Sequence, residues 1–314
     1  MREINDIKKL VGNTPLIKIN FEYNNKRFSN YFKAEWYSLT GSIKDRVALS
    51  IFKNGYKNGT LKKGQEVVEV TSGNMGISLT AIGKYLGHNI TIFMPKFMSV
   101  ERKQILKLYG ANLIETDSFE DAFNKSEIYA KENNAFLAHQ FENKDNFLAH
   151  YSTTAKEILE QAETINGFIA GVGTSGTLTG IGTKLKEKLG IKIFALEPKS
   201  SLILSTGKSQ GKHKLQGLSD EIIPKLYNKN LVDEIISVSD EDAIAMAQKL
   251  SRELGLGVGI SSGANFIGSV LTNLNSVVSV FPDDNKKYLS TDLAVPITTP
   301  LVDSIRIINY EIIK

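Results

Sequence analysis

The 314-residue sequence contains no cysteine. This excludes disulfides, thiolate metal sites and a cysteine nucleophile together. Histidine is scarce as well. His88, His139, His150 and His213 are scattered without close ligand spacing, so no metal is expected. No apolar run reaches the roughly 18 residues that a membrane-crossing helix needs. The first residues, Met1-Arg2-Glu3-Ile4-Asn5-Asp6, mix charges and lack the apolar core of a signal segment. A cytoplasmic protein is therefore expected. An excess of one charge is also missing: 38 basic and 34 acidic residues leave +4. Basic clusters such as Lys62-Lys63 and Lys286-Lys287 are too short for a nucleic-acid stripe. No internal repeat and no low-complexity linker interrupts the chain.

What remains is an ordinary globular balance, 41% apolar and 23% charged. Short β-rich runs alternate with amphipathic stretches of helical length. Residues 66–70, 90–94, 168–170, 193–196 and 279–281 read as strands. Residues 77–86, 100–109, 119–133, 177–189 and 240–254 read as helices, several of them stopped by glycine. Such alternation predicts an α/β fold with parallel sheets covered on both faces. Ligands in such folds bind at the carboxyl ends of strands, where loops open into helices. Three junctions of that kind are rich in Gly, Ser, Thr and Asn.

The first is Gly171-Val172-Gly173-Thr174-Ser175-Gly176-Thr177, between a strand and a helix. Small residues let backbone wrap an anion, and free N–H groups at a helix start point toward it. Thr174, Ser175 and Thr177 add hydroxyl donors, which suit a phosphate monoester. Two other readings stay open. Gly171, Gly173 and Gly176 also fit the dinucleotide fingerprint, with Glu197 near the place of the ribose-binding acid, which would suit an NAD enzyme. A tight turn without a ligand is the third.

The second junction is Thr40-Gly41-Ser42-Ile43-Lys44-Asp45-Arg46, ahead of an apolar helix at 47–52, with Thr40 or Ser42 as its cap. A lysine in a first turn faces the positive end of the helix dipole, which disfavours its ammonium form. A neutral amine there can form a Schiff base. The alternative is a surface lysine paired with Asp45. The third junction, Thr71-Ser72-Gly73-Asn74-Met75-Gly76, reads as a second anion cradle, sized for a carboxylate, or as an ordinary capped helix start. A phosphate turn, a carboxylate turn and such a lysine together point to pyridoxal phosphate (PLP) and an amino acid.

From Val11-Gly12-Asn13-Thr14-Pro15-Leu16 to Lys287-Tyr288-Leu289-Ser290-Thr291, the chain resembles the cysteine synthase and cystathionine β-synthase family of fold-type-II PLP enzymes. The resemblance implies a two-domain α/β fold. Residues 36–145 would be a small mobile domain, and residues 1–35 plus 146–314 a large PLP-binding domain. It implies Lys44 as the Schiff-base lysine and Gly173, Thr174, Ser175, Gly176 and Thr177 as the phosphate cradle. Thr71, Ser72, Gly73, Asn74 and Met75 would grip the substrate carboxylate, with Asn74 also meeting the cofactor's ring oxygen. Gln140 would add a carboxylate contact. Ser261, rather than Ser262, would partner the pyridine nitrogen, and Gln216-Gly217-Leu218 would line the mouth. The implied reaction is β-elimination or β-replacement through α-aminoacrylate, with Lys44 moving the Cα proton. A homodimer is implied, with a serine acetyltransferase as a candidate partner.

Two places, three residues in all, depart from the usual cysteine synthase pattern. Met75 stands where threonine is normal. Asp220 and Glu221 stand where small residues are normal. A carboxylate at the mouth suits water, cysteine or homocysteine as nucleophile better than the hydrosulfide anion. Asp220 is a candidate general base, with L-cysteine as first substrate and sulfide as product; the pair could instead hold the amino group of a second amino acid, or be a solvated acidic pair without a role. O-acetylserine sulfhydrylase is the other leading reading.

Overall fold

In the computed structural model, residues 3–208, 211–218 and 222–313 are described. After short helical segments at Ile4–Ile7 and Lys8–Leu10, β1 (Leu16–Tyr23) and β2 (Lys26–Ala34) form an antiparallel hairpin. Asn24 and Asn25 make its turn, both with positive φ (49° and 59°). This is the conformation that a two-residue hairpin turn demands and that asparagine tolerates. Then β3 (Val67–Val70), β4 (Ile90–Pro95), β5 (Asn112–Thr116) and β6 (Phe136–Leu137) build a parallel sheet in the order β5-β4-β3-β6. The remaining strands are β7 (Gly167–Gly171), β8 (Lys192–Pro198), β9 (Glu234–Val238), β10 (Val277–Phe281) and β11 (Arg306–Ile313). With β1 and β2 they form a sheet ordered β11-β1-β2-β10-β7-β8-β9.

The α/β class is as expected, but the larger sheet is mixed. From β2 through β9 its strands run parallel, while β1 is antiparallel to both β2 and β11. The hairpin and β11 were not read from the sequence. The strand alternation is visible in the packing. Phe168 and Ala170 face one core with Leu178, Ile181 and Leu185 of the Gly176–Leu189 helix. Ile169 faces the other, with residues of the Asp240–Leu254 and Ile260–Leu271 helices. A third core surrounds the four-stranded sheet, where Ile77, Leu79 and Ile82 of the Asn74–Leu86 helix pack with Val67, Val68 and Ile92.

Local signals explain where several elements begin. The Asp240–Leu254 helix starts at Ser239, whose side chain accepts from Asp242 N–H, and three acids in its first turn suit the dipole. The Lys44–Asn58 helix starts differently from expectation. Neither Thr40 nor Ser42 is its N-cap residue. Thr40 instead donates its N–H and its hydroxyl to Asp45 (2.7 and 2.5 Å), and Ser42 accepts weakly from Lys44 N–H at 3.3 Å. Asp45 is therefore occupied with Thr40, is fully buried, and is not the surface partner of Lys44. Burial pushes its carboxyl above the usual range.

Candidate active site

The carboxyl ends of β3, β7 and β10 deliver their loops to one small cavity, about 70 Å³ in volume. Its lining includes Lys44, Thr71, Ser72, Asn74, Met75 and Gln140 from one side. Thr174, Thr177, Gly217 and Ser261 line it from the other. Lys44 Nζ donates to Thr174 Oγ1 at 3.2 Å, so the amine stands against the glycine-rich turn. That turn reverses at Ser175, whose φ of +67° is in the left-handed region, and the Gly176–Leu189 helix starts directly after it. The first N–H groups of a helix have no intrahelical partners, and here they open beside the Thr174 and Thr177 hydroxyls. Ser175 Oγ pairs instead with Thr179 Oγ1 at 3.0 Å. Gly173 and Gly176 make close approaches. A Cβ on Gly173 would sit 2.1 Å from the Gly217 carbonyl oxygen, and one on Gly176 1.9 Å from Asn146 Oδ1.

The carboxylate loop is tied to its surroundings. Thr71 Oγ1 accepts from Gly73 N–H at 3.0 Å. Gln140 Nε2 donates to the Val70 carbonyl at 2.8 Å, and Gln140 N–H donates to Glu69 Oε2 at 3.1 Å. Asn74 Nδ2 donates to Asp283 Oδ2 at 2.8 Å, while Asn74 Oδ1 is buried without a partner. Met75 is buried at the cavity wall. Ser261 lies one residue inside the Ile260–Leu271 helix, which starts at Gly259. Ser262 is fully buried, its hydroxyl lacks a partner, and it does not line the cavity. Gly217, with φ +88°, also borders a wider cleft of about 640 Å³, together with Phe97, His213 and Thr291. Asp220 and Glu221 lie outside the described residues.

Several contributors were not legible beforehand. Asn146 Nδ2 donates to Thr174 Oγ1 at 2.8 Å. His150 Nε2 meets Thr177 Oγ1 at 3.3 Å, and burial, then Lys44 and Arg46, hold this imidazole neutral by lowering its pKa. Asn265 binds Gly171 N–H at 2.9 Å and the Val280 carbonyl at 2.8 Å, joining β7 to β10 beneath the cavity. Glu69 is wholly buried, and burial raises its carboxyl to about 8 against two backbone N–H bonds, from Val70 and Gln140. Behind Lys44 lies a buried ionic network. Arg46 reaches Glu35 at 2.7 and 2.9 Å and Glu157 at 2.6 and 2.7 Å. Lys33 Nζ lies 2.8 Å from Glu157. Burial disfavours ionised Glu157, yet Arg46 and then Lys33 hold its carboxyl down at about 2. The only sequence hint was charge in otherwise apolar segments.

The dinucleotide reading fails at Glu197. Its carboxylate accepts from Leu204 N–H at 2.7 Å and from the Ser205 hydroxyl, so it fastens the Ile203–Thr206 turn.

The residues present fit PLP. Hydroxyls at a helix start suit a phosphate monoester, an amine stands beside them, and Asn74 Oδ1 is buried and unanswered. Comparison with known proteins agrees. The family described as pyridoxal-phosphate dependent enzyme matches residues 7–282. The chain is 38% identical over 303 residues to the cysteine synthase of Staphylococcus aureus strain N315, covering 93% of this chain and 97% of that protein. It is 41% identical over 299 residues to cysteine synthase B of Campylobacter jejuni, covering 91% and 97%. A hydrogen sulfide-producing enzyme from Fusobacterium nucleatum superposes with a TM-score of 0.94 at 43% identity, over 98% of each chain. A hydrogen sulfide-producing enzyme at 42% identity and TM-score 0.94, covering 99% of each chain and bearing an aspartate-to-asparagine substitution, is described as complexed with the α-aminoacrylate intermediate. With its fold, its converging loops and these relatives, the chain belongs to the pyridoxal-phosphate dependent enzyme family, among the cysteine synthases.

Proposed function

We propose that this enzyme removes or replaces the β-substituent of a small amino acid, with L-cysteine as first substrate and sulfide as leaving group. The observation that carries the reading is the meeting of Lys44, Thr174, Thr177, Ser261 and the Thr71–Asn74 loop on one cavity. When bound, PLP supplies an electron sink for carbanion character at Cα. Lys44 would hold the cofactor through its amine and is the group placed to move the Cα proton. Gly173 to Thr177 would hold the phosphate, and Ser261 would partner the pyridine nitrogen. A hydroxyl there, unlike a carboxylate, leaves that nitrogen close to neutral, which favours prompt elimination. Thr71, Ser72 and Gln140 orient the substrate carboxylate.

Sulfide release from L-cysteine is supported by the likeness to hydrogen sulfide-producing enzymes. Asp220, three residues beyond the cavity-lining Gly217, is the candidate base for an incoming water, giving L-serine. A second amino acid as nucleophile gives lanthionine or cystathionine instead, and the 640 Å³ cleft leaves room for one. Plain O-acetylserine sulfhydrylation is supported by the cysteine synthase relatives. In the same reading residues 36–145 move as a unit to close the site, and the protein is a cytoplasmic homodimer with a serine acetyltransferase as candidate partner.

The test supplies L-cysteine alone, L-cysteine with homocysteine, and O-acetyl-L-serine with sulfide, then compares kcat/KM and identifies products. Sulfide with L-serine, abolished by Lys44→Ala and slowed about 10²–10⁴-fold by Asp220→Asn, is expected from loss of general-base assistance. A large preference for O-acetylserine with sulfide, indifferent to Asp220→Asn, sinks the cysteine-consuming reading. Borohydride trapping of the pyridoxyl group on another lysine sinks the role of Lys44.

A further inference from the structure

Asp283 follows β10 and is completely buried. It joins three arms of the site at once. Its backbone carbonyl accepts from Gly259 N–H at 3.0 Å, at the start of the Ser261 helix. A β-bridge ties it to Ser42, two residues before Lys44. Its Oδ2 accepts from Asn74 Nδ2 at 2.8 Å and from the Tyr288 hydroxyl at 2.8 Å, with Arg102 Nη2 3.8 Å away. Arg102 is 2% exposed, lies 4.5 Å from the Tyr288 ring centre and also binds Gln216 of the mouth loop. Gly259 leaves room for this carboxylate, since a Cβ there would stand 2.1 Å from Asp283 Oδ1.

Asp283 Oδ2 is an acceptor for both of these donors. Beside Asp283 the side-chain amide of Asn74 has one favourable orientation, with its NH₂ toward the carboxylate and Oδ1 turned away. Tyr288 does not compete for that amide. Burial and then Asp283 raise its pKa, so it remains a donor to the same oxygen. We infer that Asp283 is a positioning residue that fixes the amide of Asn74 against the cofactor's ring oxygen and so sets how the cofactor is held. The inference rests on the PLP reading above and on the contact with the cofactor's ring oxygen that the family resemblance implies for Asn74.

The test uses purified holoenzyme of the parent, Asn74→Ala, Asp283→Ala, Asp283→Asn and the Asn74→Ala/Asp283→Ala double variant. Cofactor dissociation constant and visible absorption maximum are read out, with thermal unfolding to report folding. Asp283→Ala is expected to weaken cofactor retention about tenfold, the scale of one buried hydrogen bond. It should move the absorption maximum in the same direction as Asn74→Ala. The double variant should go no further than Asn74→Ala alone, because the two residues act as one unit. Asp283→Asn should restore both readouts to near the parent's, since an amide oxygen can accept from the same two donors. If Asp283→Ala does not fold, Asp283→Ser, too short to reach Asn74, carries the same expectation.

A folded Asp283→Ala or Asp283→Ser protein with the parent's retention and spectrum overturns the inference, and so does simple additivity in the double variant. An Asn74→Ala protein with the parent's retention and spectrum overturns the role of Asn74 and the inference with it. A parent protein that takes up no PLP overturns the cofactor reading itself.

Discussion

Glu157→Gln is the sharpest probe of the network behind Lys44. The substitution keeps the shape of the side chain and removes its charge from between Arg46 and Lys33. In the folded protein the Glu157 carboxyl is held at about 2, against an ordinary 4.5. At about 1.4 kcal/mol per pH unit, that difference contributes about 3 kcal/mol of stability at pH 7. The sign fixes the pH window. A depressed carboxyl contributes fully above about 4.5, and the contribution disappears as pH falls toward 2. Glutamine should therefore cost about 3 kcal/mol at neutral pH, a loss that shrinks steadily below pH 4.5 and vanishes near pH 2. The single tryptophan, Trp36, adjoins Glu35 of the same network, so its fluorescence can follow urea unfolding at a series of pH values. A penalty below about 1 kcal/mol at pH 7, or one that does not change between pH 7 and 3, would refute the argument, because surface ion pairs behave that way.

Gly173→Ala should disrupt the site, because its Cβ would meet the Gly217 carbonyl at 2.1 Å; cofactor uptake by the purified variant, expected to fall at least tenfold, is the check. Thr177→Val should weaken cofactor retention about tenfold to a hundredfold, the scale of a hydrogen bond to a charged group, and unchanged affinity would mean that this hydroxyl serves only His150. Glu69→Gln should behave oppositely to Glu157→Gln. A carboxyl raised to about 8 lowers stability as pH rises from about 4.5 toward 8, so glutamine should unfold at higher temperature than the parent at pH 8 and match it near pH 4.5.

Much of the site was legible because its chemistry is local. Each cradle is a short run of small and hydroxyl residues between a strand and a helix. The Asp240–Leu254 helix could be bounded to the residue by its period of apolar positions and its acidic start. Charge hid what was missed. β1 and β2 carry Lys18, Lys26, Arg27 and Lys33, which blur the alternation of a strand. Lys33 is nevertheless fully buried, because Glu157 and the Thr14 carbonyl receive it, and neither is near it in sequence. Arg102 and Asp283 offer the same lesson, since their partners come from separate loops. Glu197 misled for the converse reason: its spacing suited a ribose, while a turn seven residues on had already engaged it.

The pairing of β1 with β11 sets a schedule for folding. Asn20 and Asn309, bonded across these strands, are 289 residues apart. When β1 leaves the ribosome it can form its hairpin with β2 at once, but its other edge waits for almost the entire remaining chain. Closing so long a loop is slow, though its entropy grows only logarithmically with length. Until then β1 offers unpaired N–H and C=O groups to any passing strand. During synthesis β11 is thus the last strand that can join this sheet, and a nascent or trimmed chain without it should be the form most prone to aggregate.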